Sequence, residues 1–133
     1  MATMKHFEDI NSWKKARVIC KLLGDLIDQG RFQKNFRLIH QVEGSSGSIM
    51  DNIAEGFERG TRAEFIQFLG YAKGSCGELR SQLYRALDRN YISQNEFNDF
   101  KSPLTSISGS IQNLITYLLK SNFSGVRNKT KSK

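Results

Sequence analysis

The stretch that decides the fold runs from Ser48 to Ser93: SIMDNIAEGFERGTRAEFIQFLGYAKGSCGELRSQLYRALDRNYIS. It reads as two amphipathic helices joined by a tight turn at Arg59-Gly60-Thr61. Ile49, Ile53 and Phe57 recur four residues apart before the turn, the spacing of one helix face. After it, Thr61 followed three residues later by Glu64 forms a capping box that opens a helix. Ala63, Ile66, Leu69, Ala72, Cys76, Leu79, Leu83 and Ala86 then mark a buried stripe. Gly70, Gly74 and Gly77 fall at i, i+4 and i+7, each costing up to ~1 kcal/mol against Ala. They predict a close-packing groove; the other reading is a backbone surface open to a ligand.

Working outward, the helix before the turn reaches back to Phe36 through Leu38, Ile39 and Val42. Residues 43–48, EGSSGS, are poor helix formers. The apolar phase from Ile39 through Val42 to Ile49 and Ile53 holds across them, so one helix is expected over Phe36–Arg59. An earlier helix is expected from Asn11 to Gln29, with Asp9, Asn11 or Ser12 as its cap and Gly30 as its stop. Its apolar set is Ile10, Trp13, Ala16, Ile19, Leu22, Leu23, Leu26 and Ile27. A fourth opens with a second capping box, Ser93 to Glu96, after a stop at Arg89-Asn90. Phe97, Phe100, Leu104, Ile107, Ile111, Leu114, Ile115 and Leu118 line its face. It ends between Lys120 and Phe123, with a kink expected near Asp99–Ser102 because Pro103 lacks an N–H. The connections are short, so neighbouring helices should be antiparallel. The expected fold is all-α: an antiparallel up-down-up-down four-helix bundle.

The chain has 133 residues, enough for one domain with one core. The domain is expected over 1–123, with a polar, disordered tail over 124–133. The net charge is +7. Residues 1–99 hold 14 Lys/Arg against 13 Asp/Glu, whereas residues 100–133 hold six Lys/Arg and no acid. Such a basic end attracts polyanions or merely keeps the chain soluble. No apolar run approaches the ~20 residues a membrane span needs. The N-terminus lacks the apolar core of a signal peptide. A cytoplasmic protein without membrane contact is expected. Cys20 and Cys76 then read as two reduced, packed thiols.

Catalytic and cofactor chemistry finds no footing. Di-metal bundles need Glu-x-x-His on facing helices, and neither His6 nor His40 has a Glu three residues before it. Glu55 and Glu78 have no imidazole beside them. There is no phosphate-binding loop, and Ser75 and Cys76 have no His at a recognisable spacing. No catalytic, metal or cofactor residue is assigned.

Two sets of residues remain. Asn52, Glu55 and Arg59 lie at i, i+3 and i+7, and Glu64, Gln67, Tyr71, Glu78 and Gln82 lie on the following helix. Asn52, Glu55, Glu64, Glu78 and Gln82 read as a polar network that fixes helix or subunit register, or as a site for RNA or a protein partner. The second set is basic: Lys14 and Lys15 (with Arg17 and Lys21) on the first helix, Arg59 and Arg62 at the turn, Lys73 and Arg80 (with Arg85) on the third. Arg127, Lys129 and Lys131 join them in the tail. Positive side chains neutralise phosphates and release counterions, although surface Lys and Arg are commonly only solvated. Trp13, in the apolar phase of its helix, reads as core rather than as a stacking platform.

The motifs N-I-A-E-G at 52–56, R-G at 59–60, E-F at 64–65 and F-L at 68–69 carry a further signal, as do A-x-G-S-x-x-E-L-x-x-Q-L and Y-I-S after them. Together with FEDINSWKKA at 7–16, they resemble the small four-helix proteins encoded in intervening sequences of bacterial 23S ribosomal RNA genes. The resemblance covers roughly Phe7 to Leu119. It implies an antiparallel bundle assembled into a ring-shaped homo-oligomer, a pentamer, and no settled activity. A related bundle, the accessory protein of diversity-generating retroelements, is a basic pentamer that binds nucleic acid and a reverse transcriptase. Many members carry basic residues where Glu43 and Gly44 stand, which moves any RNA-gripping role away from this part of the second helix. They also carry Ile-Pro where Ile49-Met50 stand, so this helix should run straighter.

The first expectation is therefore a non-enzymatic, ring-forming bundle that binds RNA or DNA through its basic surface and tail. The second is a protein-interaction scaffold, such as an accessory subunit of a reverse transcriptase or another nucleic-acid enzyme.

Overall fold

A computed structural model describes residues 4–121. It holds four long helices: α1 (Asn11–Asp28), α2 (Phe36–Arg59), α3 (Arg62–Asp88) and α4 (Gln94–Lys120), preceded by a 3-10 turn at Phe7–Asp9. Among the described residues there is no strand. The tail at 124–133, with Arg127, Lys129 and Lys131, lies outside the described residues, as does the alternative end of α4 at Phe123.

The helix ends follow local chemistry. α1 stops where Gly30 takes φ 77° and α3 where Asn90 takes φ 62°. Glycine pays no steric cost in the left-handed region, and Asn tolerates it. In both places a paired C-terminal motif closes the last turn. Gly30 N–H donates to the Ile27 carbonyl at 2.9 Å and Arg31 N–H to that of Leu26 at 3.1 Å; Asn90 and Tyr91 repeat this on Leu87 and Ala86. The capping box of α4 is complete: Ser93 Oγ accepts from Glu96 N–H at 3.1 Å and Glu96 Oε1 accepts from Ser93 N–H at 2.8 Å. Helix α2 runs unbroken through Gly44–Ser48, as its apolar phase requires, and α4 is helical on both sides of Pro103.

The cap expected for α1 is different. Its N-cap is Ile10, with no side-chain bond. Asp9 serves the 3-10 turn instead, its carboxylate accepting from the N–H groups of Lys5 and His6 at 3.2 and 3.1 Å. Ser12 is buried and Asn11 exposed, one on each side of the first turn.

The principal packing runs α1 on α2, α2 on α3, α3 on α4 and α4 on α1, so each helix has two main neighbours around one core. Ile19 and Leu23, Ile49 and Ile53, Leu69 and Leu79, and Leu104 and Ile107 are its fully buried contributors from α1, α2, α3 and α4 in turn. Each such side chain contributes about 1.5–3 kcal/mol of burial. Two stripes shift from expectation. Leu22 points outward, 43% exposed. On α3, Ala63 is exposed and Ile66 half-buried, while Phe65 and Gln82 are buried. Helix α3 packs against both α2 and α4, so its buried arc is wider than a single stripe and takes in residues on two flanks.

Side-chain bonds show which helix ends meet. Arg85, late in α3, donates to Gln41, early in α2, at 3.0 Å. Arg62, at the start of α3, donates to the carbonyl of Ser121, just past α4. Arg31, just past α1, grips Glu96, at the start of α4, through two bonds of 2.7 and 2.5 Å.

Candidate nucleic-acid interface

The densest motif builds the corner between α2 and α3. Gly60 takes φ 85° as the C-cap of α2, a conformation that favours glycine. A Cβ on Gly56 would stand 2.6 Å from Phe68 Cβ and 3.3 Å from Phe65 Cδ1. The two helices therefore approach closely only because position 56 carries no side chain. Thr61 Oγ1 accepts the N–H of Glu64 at 3.3 Å, which caps α3. Arg59 Nε donates to Glu64 at 2.8 Å and its Nη1 to Glu55 at 3.3 Å. Its guanidinium lies 5.3 Å from the centre of the Phe68 ring. These bonds raise the pKa of Arg59, Glu64 contributing most. Arg59 thus sits between two carboxylates, and Arg62 is turned to a backbone carbonyl. Neither is presented as a lone cation.

The rest of the polar set does not converge. Asn52 Nδ2 donates to Ser48 in its own helix at 2.8 Å. Glu78 is exposed and bonds to no described residue. Gln82 is 7% exposed, and its Oε1 has no hydrogen-bond partner among the described residues. The register network expected of the five residues is reduced to Glu55 and Glu64 around Arg59.

The cations gather elsewhere. Lys73 and Arg80 are two turns apart on α3, with Tyr84 one turn further on the same flank. This flank borders α4: Lys73 Nζ donates to Gln112 Oε1 at 2.8 Å, and the Tyr84 ring lies 4.5 Å from that of Phe97. On the facing flank of α4, Lys101, Thr105 and Gln112 fall at i, i+4 and i+11. The only acids of α4 are Glu96 and Asp99, both in its first two turns. Glu96 is bound to Arg31, which holds its carboxyl down at about 2 with help from the Ser93 N–H. Lys15, on α1, reaches the other flank of α4 and donates to Ser106 at 3.1 Å. Lys14 is exposed on α1. The partners of Lys15 and Lys73 are a hydroxyl and an amide, so neither charge is neutralised by a described residue.

Gly70, Gly74 and Gly77 correct the expected groove. All three are exposed, and a Cβ on any of them would meet nothing within 4 Å. They pack no helix of this chain. Gly109 on α4 is equally open. Backbone is therefore uncovered on the outer side of α3 near Lys73 and Arg80. Lys101, Thr105 and Gln112 escaped the sequence reading. Their signal in the sequence is the lack of acids after Asp99.

Burial pushes the Cys76 thiol up to about 12, and burial likewise raises Cys20. Thiols of this kind are weak nucleophiles. Among the described residues no group of three or more His, Cys, Asp or Glu gathers as a metal set, and no helix is long and apolar enough to cross a membrane.

The crystal structure of a protein of unknown function from the S23 ribosomal protein family, from Bacteroides thetaiotaomicron VPI-5482, superposes with a TM-score of 0.74. The match covers 80% of this chain and 99% of that one at 23% identity, which establishes a shared fold. No curated protein matches significantly. The family profile described as 23S rRNA-intervening sequence protein matches residues 8–113, a span that includes the whole α2–α3 corner. The chain belongs to that family.

Proposed function

We propose that this chain is a non-enzymatic, antiparallel up-down-up-down four-helix bundle that assembles into a ring, a homopentamer, and binds RNA through its basic surface and tail. It works in the cytoplasm, where Cys20 and Cys76 stay reduced. The three end-to-start contacts Arg85–Gln41, Arg62–Ser121 and Arg31–Glu96 support the antiparallel order. One observation carries the RNA reading: Lys73 reaches across to Gln112 and no carboxylate among the described residues, Arg80 follows two turns on along the same row of α3, and Lys101 falls in register with Gln112 on α4. Phosphates are drawn to such cations, and hydroxyl and amide groups add contacts to phosphate and sugar oxygens. The second reading, a scaffold for a reverse transcriptase or another nucleic-acid enzyme, draws on exposed apolar side chains, with Val18 58% and Tyr71 51% exposed.

The test is binding of a structured ribosomal RNA fragment across a salt series, comparing the full chain with one ending at Phe123. The proposal expects binding that weakens steeply as salt rises. Loss on shortening places the grip in Arg127, Lys129 and Lys131; survival places it on the α3–α4 surface. No binding by either chain near physiological salt would overturn the RNA reading in favour of the scaffold.

A further inference from the structure

Helix α1 carries an outer face that no described residue of its own chain covers. A groove of about 490 Å³ runs along it, lined by Trp13, Lys14, Arg17, Val18, Lys21, Leu22 and Asp25. Val18 and Leu22 form its apolar floor, 58% and 43% exposed. Lys14, Val18 and Lys21 fall at i, i+4 and i+7, one row of the helix. Lys14 has no ion pair among the described residues, and Arg17 leans on Trp13, 5.9 Å from its ring centre. Among the described residues Lys21 pairs only with Asp25, at 3.6 Å and well exposed, a pair worth little in water. Apolar side chains rimmed by unspent cations are the pattern of a docking surface.

The complementary surface is on the same chain. Along the outer face of α2, Gly47, Asp51 and Glu58 fall at i, i+4 and i+11. Asp51 and Glu58 are exposed and unpaired among the described residues. A Cβ on Gly47 would meet nothing within 4 Å, so a neighbour's apolar side chain can seat there against backbone. We infer that a second copy of this chain docks its acidic α2 face onto the basic, apolar α1 face, each copy offering one face to each neighbour. This rests on the assembly reading above and names the surfaces that make it.

The directions of the two faces agree with closure. Where four helices each have two neighbours, adjacent outer faces point about 90° apart. A head-to-tail contact between unlike faces closes into a ring when the rotation permits. Faces about 90° apart close after about four copies, and about 108° gives five. Unlike faces set on opposite sides would instead run on as a filament.

Light scattering coupled to size exclusion, on the full chain, tests the assignment. The wild type should run as a discrete oligomer. Val18→Glu with Leu22→Glu should shift it to monomer at the same concentration while the circular dichroism stays helical, because both side chains are exposed. Lys14→Glu with Lys21→Glu, and separately Asp51→Lys with Glu58→Lys, should each weaken association at least about tenfold, or about 1.4 kcal/mol. All four reversals in one chain should restore the oligomer. Val18→Ser with Leu22→Ser, a milder change, should also weaken it if the glutamates disturb folding. An oligomer unmoved by these variants would overturn the face assignment and leave assembly standing. A wild type monomeric at every concentration would overturn both.

Discussion

The α2–α3 corner and the α3–α4 surface are joined by one helix and are built on opposite principles. At the corner the motif is dense and its charge is spent: Arg59 lies between Glu55 and Glu64, Thr61 caps α3, and Gly56 is pressed against Phe68. On the α3–α4 surface a Cβ on Gly70, Gly74 or Gly77 would meet nothing within 4 Å, and Lys73 bonds to a neutral amide. The difference teaches that cations inside a dense motif can be spent on the fold, as Arg59 is on Glu55 and Glu64, whereas Lys73 reaches no carboxylate among the described residues.

The contrast can be broken at the two kinds of glycine. Gly56→Ala forces a Cβ into the 2.6 Å gap at Phe68. Overpacking costs about 1–3 kcal/mol, more than the ~1 kcal/mol of helix propensity regained. The urea midpoint should fall; an unchanged midpoint would mean the corner is loose. Gly74→Ala, on the open face, should do the reverse and raise stability by up to ~1 kcal/mol. A loss there would show that the glycine row is already packed, against a second copy or otherwise.

The smallest effect concerns the contact that ties α1 to α4. Arg31 and the Ser93 N–H depress the Glu96 carboxyl from 4.5 to about 2. Its folded pKa is below its unfolded one, so the stability it contributes is present above about pH 4.5 and is lost as the pH falls toward 2. The side chains of Arg31 and Glu96 are 35% and 29% exposed, and solvent screening holds the contribution to about 1 kcal/mol. Between pH 7 and pH 3, Glu96→Gln should lose less stability than the wild type, read from urea midpoints. Equal losses would show that the pair adds nothing.

Much of the fold was legible because it depends on local signals. The bounds of α2, the Ser93–Glu96 box and the stop at Gly30 all follow from caps, periodicity and turn chemistry. Continuity of α2 through Gly44–Ser48 was legible by trusting the phase of Ile39, Val42, Ile49 and Ile53, together with the family resemblance, over propensity. What failed depended on neighbours distant in sequence. Phe65 and Gln82 are buried because α3 is flanked on two sides, and a single-stripe reading admits one side. Gly70, Gly74 and Gly77 resemble a packing groove in any helix, and only the position of the other three helices shows that they face outward. The basic candidates divided for the same reason: Arg59 met its carboxylates and Lys73 did not, a distinction that composition does not contain.

The most direct test compares the two regions by the same assay. Salt-dependent binding of a structured ribosomal RNA fragment would be measured for Lys73→Gln/Arg80→Gln/Lys101→Gln and for Arg59→Gln, each checked for helicity. The account predicts that the triple variant loses at least about tenfold in affinity and roughly two to three units of salt slope, while Arg59→Gln stays within about twofold of wild type. A full loss from Arg59→Gln with the triple variant unaffected would contradict it, and would return the interface to the corner.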